Sequence, residues 1–126
     1  MKNRMRVFCI CDHALNEILI RAAFENSSTV EVVTARIEEA AKVALFELEL
    51  SKALFCGSMA RSENVRILKF IAETLIAGGV TCAGTSSSVA LVKPVFERFG
   101  VNKVFHLNWQ NVKGWISDPI RIQLPV

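Results

Sequence analysis

Five short runs of β-branched and apolar residues, at 6–11, 29–34, 53–58, 80–84 and 103–107, begin 23 to 27 residues apart and set the frame for this chain. Each run has the length of a strand, and each interval carries apolar residues at the spacing of a helix. A strand–helix rhythm sustained five times predicts repeated βα units, because neighbouring parallel strands need a crossover of about this length. Most of the runs are apolar at nearly every position rather than at every second one, so both faces of the sheet must be covered. The right-handed crossover rule then closes the chain into an α/β fold: a three-layer α/β/α sandwich around a five-stranded, mostly parallel sheet, flavodoxin-like. With 126 residues there is room for a single domain over 1–126.

The intervals predict the helices. Leu15, Ile18, Leu19 and Ala22 read as the core stripe of the first. In the second, Ile37, Ala40, Ala41, Ala44, Leu45 and Leu48 face inward after a cap at Thr34, with Glu38, Glu39, Lys42, Glu47 and Glu49 outside. The third stripe runs Val65, Leu68, Ile71, Ala72 and Leu75, capped by Ser62 and stopped by Gly78–Gly79. The fourth, Val89, Val92, Val95, Phe96 and Phe99, ends at Gly100; Pro94 should kink it or confine it to short turns. A last short helix starts at Asn108 and presents Val112, Trp115 and Ile116. Residues 117–126, with Ile120, Ile122 and Leu124 alternating, read as an arm, an edge strand or a linker.

The net charge of +3 falls short of the basic stripe of a dedicated nucleic-acid binder, so nucleic acid is not the expected partner. After Lys2, Arg4 and Arg6 the apolar run 7–11 is too short for a secretory signal, and no stretch approaches the roughly 20 residues that cross a bilayer. The four cysteines, Cys9, Cys11, Cys56 and Cys82, all lie in apolar runs; they read as core thiols of a protein in the reducing cytoplasm. Cys9, Cys11 and His13 share one side of a strand, with Cys56 within reach from a neighbour. The paired spacing of a zinc site is absent, and no metal is expected. Cys11 before a helix has the setting of a thiolate nucleophile, but no Arg follows at phosphatase-loop distance. Neither a P-loop nor a Gly-rich dinucleotide fingerprint occurs, and no cofactor is expected.

In sheets of this kind ligands bind beyond the carboxyl ends of the strands. That rule selects Asp12 and His13 after the first strand, Arg36 after the second, residues 58–61 after the third, Thr85, Ser86 and Ser87 after the fourth, and Asn108 after the fifth. Residues 84–88 offer hydroxyls and backbone donors at a helix start, where an anion can be held; the same serines serve as helix caps. His106, inside an apolar strand, is expected to be a hydrogen-bonded core residue. Trp109 and Trp115, with Phe105, read either as the last part of the core or as a partner-binding patch. Arg61, Arg66 and Lys69 read as a solvated helix face.

In order and spacing, residues 6–116 resemble a bacterial response-regulator receiver domain. Asp12 matches one member of that family's acidic pair after strand one, and Thr85 or Ser86 its hydroxyl after strand four. The third strand reads Leu54–Phe55–Cys56–Gly57–Ser58, without the phosphoacceptor aspartate, and the fifth reads Val104–Phe105–His106–Leu107–Asn108, without the lysine. A phosphoryl aspartate needs a carboxylate nucleophile and a cation, so the resemblance implies a degenerate, non-phosphorylated receiver. The carboxyl half, from Lys52 to Ile116, is also similar to the end of a STAS domain, where Ser62 in Ala60–Arg61–Ser62 stands as the candidate regulated serine without its Asp. Both resemblances imply signalling by protein contact. The expected function is a non-catalytic regulatory interaction module that binds a protein partner or forms a homodimer through Trp109, Trp115 and Ser62. The competing expectation is a small-anion or phosphometabolite binder, or an enzyme on one, using Thr85, Ser86, Ser87, Asp12, His13 and Arg36.

Overall fold

The computed structural model describes residues 4–43, 49–56 and 64–119. Strands and helices alternate as β1 (Met5–Cys11), α1 (Ala14–Phe24), β2 (Val30–Arg36), α2 (Ile37–Val43), β3 (Lys52–Cys56), α3 (Val65–Ala77), β4 (Thr81–Ser86), α4 (Val89–Arg98), β5 (Lys103–His106) and α5 (Trp109–Ser117). The sheet is parallel throughout, in the order β2-β1-β3-β4-β5, which is the flavodoxin-like arrangement expected from the βα rhythm. Strand order reverses between β1 and β3, so the heads of these two strands open the crevice where such folds bind ligands.

Two apolar layers fill the two faces of the sheet. On one, Phe8, Ile10 and Phe55 lie beneath α2, α3 and α4. Leu68, Ile71, Ala72 and Leu75 seal α3 against them, and each large side chain so buried stabilises the fold by roughly 1.5–3 kcal/mol. Gly78–Gly79 ends that helix as predicted, with Gly79 taking a φ of +85° that only glycine adopts freely. Gly84 is required for a different reason. The Phe96 ring lies on its Cα, and a Cβ there would meet ring carbons at 2.9–3.1 Å. The same ring sits 6.0 Å from that of Phe55, the β3 neighbour of Gly84.

The other face is built from smaller groups: Val7, Cys9, Cys11, Leu54, Cys56 and Ala83, covered by Ile20 and Phe24 of α1 and by Val112 and Ile116 of α5. Lys52 is buried at the foot of β3. Its ammonium lies 4.8 Å from the centroid of Trp115 and donates to the backbone carbonyls of Trp115, at 2.5 Å, and of Asp118, capping the carboxyl end of α5. Desolvation lowers the pKa of this lysine, while the Asp118 carboxylate works in the opposite direction.

Several local expectations are corrected. The predicted core stripe of α1 points outward: Leu15, Ile18 and Leu19 are 64%, 61% and 47% exposed and Ala22 is exposed, while Ile20 and Phe24 are buried. Apolar residues surround most of this helix, so periodicity alone could select the wrong face. Thr34 lies within β2, where its hydroxyl accepts a 2.7 Å bond from Arg21, and α2 follows β2 with no intervening cap. The N-cap position of α3 falls on Asn64, which makes no side-chain cap bond. α4 runs continuously through Pro94. His106 is exposed rather than part of the core. Ala44, Leu45, Glu47, Leu48, residues 58–61, Ser62 and the tail 120–126 lie outside the described residues.

Candidate functional site

At the head of β1 and β2 a cleft of about 140 Å³ collects Asp12, His13 and Arg36, with Cys11, Ile37, Glu38 and Asn64. Three predicted site residues thus come together, but Arg36 is already committed. Its Nε donates to Glu17 at 3.0 Å and its Nη1 to the Asp12 carbonyl at 3.3 Å, tying the end of β2 to the start of α1. The α1 cap position belongs to His13, which makes no side-chain cap bond, and Asp12 accepts from the Asn16 amide at 3.4 Å.

Thr85, Ser86 and Ser87 do not line this cleft. Thr85 stands beside Cys56 in the sheet and is fully buried; its hydroxyl has no partner among the described residues. Ser86 is buried and spends its hydroxyl on the Ser88 amide at 3.0 Å, which shapes the turn into α4. Ser87 is exposed, and Ser88, at the N-cap position, makes no side-chain cap bond. The six candidate anion-binding residues therefore fall into two groups.

Below the crevice lies a thiol layer. Cys9, Cys11 and Cys56 are all buried. A hydrogen bond with Cys11, followed by desolvation, holds the Cys56 thiol well above its ordinary value; burial and the neighbouring Cys11 do the same to Cys9. Cys82, on the opposite face of the sheet, is pushed up to about 12 by burial. Thiols held protonated are poor nucleophiles and poor metal ligands, and no metal-binding cluster of His, Cys, Asp or Glu occurs among the described residues.

A second feature was not legible from strand ends. Between α1 and α5 runs a groove of about 200 Å³, floored by Ile20, Cys56 and Val112 and edged by Asn16, Leu19, Leu107, Asn108 and Trp109. Among the described residues, no charged side chain lines it. It continues into the exposed apolar face of α1, and Trp109, 40% exposed, overhangs it. The two tryptophans therefore divide: Trp109 belongs to the groove, whereas Trp115 packs on Phe105, with ring centroids 6.4 Å apart, and under Lys52. Asn108 starts α5 as predicted, its side chain accepting from the Asn111 amide at 2.8 Å. Exposed Arg66 and Lys69 fit the solvated face expected of α3. No helix among the described residues is long and apolar enough to cross a membrane.

No family model and no curated protein matches the chain. Solved structures do. In the complex of the Saccharomyces cerevisiae histidine phosphotransfer protein Ypd1 with the receiver domain of its downstream response regulator Ssk1, a chain 14% identical matches with a TM-score of 0.68 over 93% of this chain and 89% of that one. The pilus assembly protein CpaE from Caulobacter crescentus matches at 13% identity and a TM-score of 0.66, over 92% and 94%. The Salmonella typhimurium response regulator RcsB matches at 18% identity and 0.60, over 92% of this chain but 56% of its own. These likenesses are of fold, and they span all five βα units rather than the carboxyl half alone. The chain has the receiver-like, flavodoxin-like fold.

Proposed function

We propose that this protein is a non-catalytic regulatory module of cytoplasmic signalling, a single receiver-like domain that works by protein contact without taking up a phosphoryl group. The fold supports a signalling role: an Ssk1 receiver was crystallised with a phosphotransfer protein, and RcsB is a response regulator. One observation carries the finer reading. The sequence contains no Asp or Glu between Leu50 and Glu63, so the strand that ends in Cys56 and the six residues after it supply no carboxylate nucleophile. The fifth strand ends in His106, exposed, and its one lysine, Lys103, stands at the opposite, amino end, so this strand brings no lysine to the head of the sheet to offset a transferred charge. Function then rests on a surface, and the apolar groove beside Trp109 is the surface suited to a protein.

Incubation with acetyl phosphate and magnesium, followed by intact-mass measurement, tests this. The expected spectrum shows unmodified protein; a hydroxylamine-sensitive adduct of one phosphoryl group would overturn the reading. The Thr85 hydroxyl, buried and without a partner among the described residues, favours a second reading, an anion seated at the head of β4. If that reading holds, inorganic phosphate raises the melting temperature of the wild type and leaves that of Thr85→Val unmoved.

A further inference from the structure

We propose that Cys11 and Cys56 form an oxidative modification site, a thiol pair at the heads of β1 and β3 that a peroxide converts to a reversible disulfide within the folded chain. This goes beyond the signalling reading and does not depend on what occupies the groove beside Trp109. The strand register carries it. β1 and β3 pair in parallel up to Ile10 with Phe55, so the last residues of the two strands, Cys11 and Cys56, stand opposite each other. Both belong to the layer beneath α1 and α5, and the Cys56 thiol is hydrogen-bonded with that of Cys11. Adjacent strands run about 4.8 Å apart, inside the roughly 4.4–6.8 Å between Cα atoms that a disulfide spans. The other two cysteines are placed differently. Cys9 stands opposite Leu54, which puts it about 8 Å diagonally from Cys56, and the rise of the strand holds its Cβ about 6.6 Å from that of Cys11, beyond the roughly 3.5–4.5 Å a disulfide allows. Cys82 lies on the opposite face of the sheet.

Access differs between the two thiols. Cys56 forms part of the floor of the groove between α1 and α5 and is 2% exposed, whereas Cys11 is fully covered. Hydrogen peroxide is small enough to enter that groove, so Cys56 is the sulfur it meets. The Cys56 thiolate attacks one peroxide oxygen, the O–O bond breaks, and a sulfenic acid and one water form. The Cys11 sulfur then attacks the sulfur of Cys56, and the hydroxyl leaves with a proton as a second water. Two thiols and one peroxide give one disulfide and two waters; the sulfurs lose two electrons and the peroxide gains them. The hydrogen bond with Cys11 and burial hold Cys56 protonated, so the first step is slow beside that of an exposed thiol. Opposed residues on parallel strands keep their Cβ atoms at about the strand spacing, so the bond closes only by drawing the two strand heads together. The β1–β3 pairing stops one position short of the cysteines, which leaves room for that shift. The strain it stores makes the bond easy to reduce, the property of a signal rather than of a structural staple.

The test exposes folded wild-type protein to hydrogen peroxide, then labels it with iodoacetamide in denaturant and reads intact mass and a non-reducing peptide map. The expected product is a single chain that has lost two hydrogens, carries label on Cys9 and Cys82 alone, and yields a cross-linked peptide pair holding Cys11 and Cys56. Dithiothreitol should return label to all four cysteines. Cys11→Ala and Cys56→Ala should each lose the bridge, and Cys82→Ala should keep it, with circular dichroism verifying the fold of each. The wild-type peptide map decides the pairing without any variant, so a variant that fails to fold leaves the test intact. Four cysteines still open to label after peroxide would overturn the proposal. So would oxygen-bearing cysteines without a bridge, a bridge that includes Cys9 or Cys82, or one that joins two chains.

Discussion

The two faces of the sheet bury their strands by different means. Beneath α2, α3 and α4 the layer is made of large groups in close contact: Phe8, Phe55 and Phe96 with Leu68 and Ile71, and a glycine kept at position 84 so that an aromatic ring can lie on the backbone. Beneath α1 and α5 it is made of thiols, Ala83 and larger residues such as Leu54, Val112 and Ile116, and α1 above it carries apolar residues outside as well as inside. Both faces leave apolar side chains in solvent, Leu91 and Phe70 singly on α4 and α3 of the first, but on the second Leu15, Ile18 and Leu19 stand together on one helix.

The contrast can be broken most forcefully at Phe96. Phe96→Ala removes a fully buried ring from between Phe55 and Gly84 and should cost about 3–5 kcal/mol in urea unfolding, which will leave little of an ordinary domain's stability. A cost below about 1 kcal/mol would mean that this face is not closely packed. On the second face the largest single contribution should be the cap beneath Trp115. Lys52→Met keeps the stem but leaves the Trp115 and Asp118 carbonyls without their donor, at about 1–3 kcal/mol, with amide exchange rising first at the carboxyl end of α5.

The thiols make stability depend on pH. Cys9, Cys56 and Cys82 are held protonated in the fold above the ordinary thiol value of 9.0, so between that value and their raised ones the unfolded chain has released protons that the folded chain retains. Stability must then fall as pH rises above about 9. Lys52, lowered in the fold, contributes in the opposite sense as pH approaches its ordinary 10.5, but the three thiols outweigh one partly compensated lysine. Denaturant titrations at pH 8 and above 9 should show the fall, and Cys56→Ala should flatten it; a pH-independent midpoint would contradict the protonated thiol layer. The smallest effect belongs to the outer face of α1. Leu15→Ser and Ile18→Ser should each change the unfolding free energy by less than about 0.5 kcal/mol, because those side chains are mostly exposed.

The sheet was legible because βα spacing and continuous apolar runs are properties of the chain itself, and every strand falls within a few residues of its predicted place. Helix α3 was equally clear: Leu68, Ile71, Ala72 and Leu75 are its apolar stripe, and Gly78–Gly79 stops it. Helix α1 was misread because its periodicity has two solutions, and the strands beneath select Ile20 and Phe24 only in three dimensions. The site was legible in part. Position after a strand brought Asp12, His13 and Arg36 to one cleft, but it could not show that Arg36 is taken by Glu17 or that Ser86 is taken by the Ser88 amide. The groove between α1 and α5 joins residues 16 to 112, and no local pattern announces a surface assembled over that distance.

The most direct measurement is a pair of amide NMR spectra on uniformly labelled protein in magnesium, before and after addition of acetyl phosphate. If the domain works without taking up a phosphoryl group, resonances of Asp12 and Cys56 at the heads of β1 and β3 stay fixed. Shifts centred on those strand heads that hydroxylamine then reverses would contradict a protein that acts by contact alone.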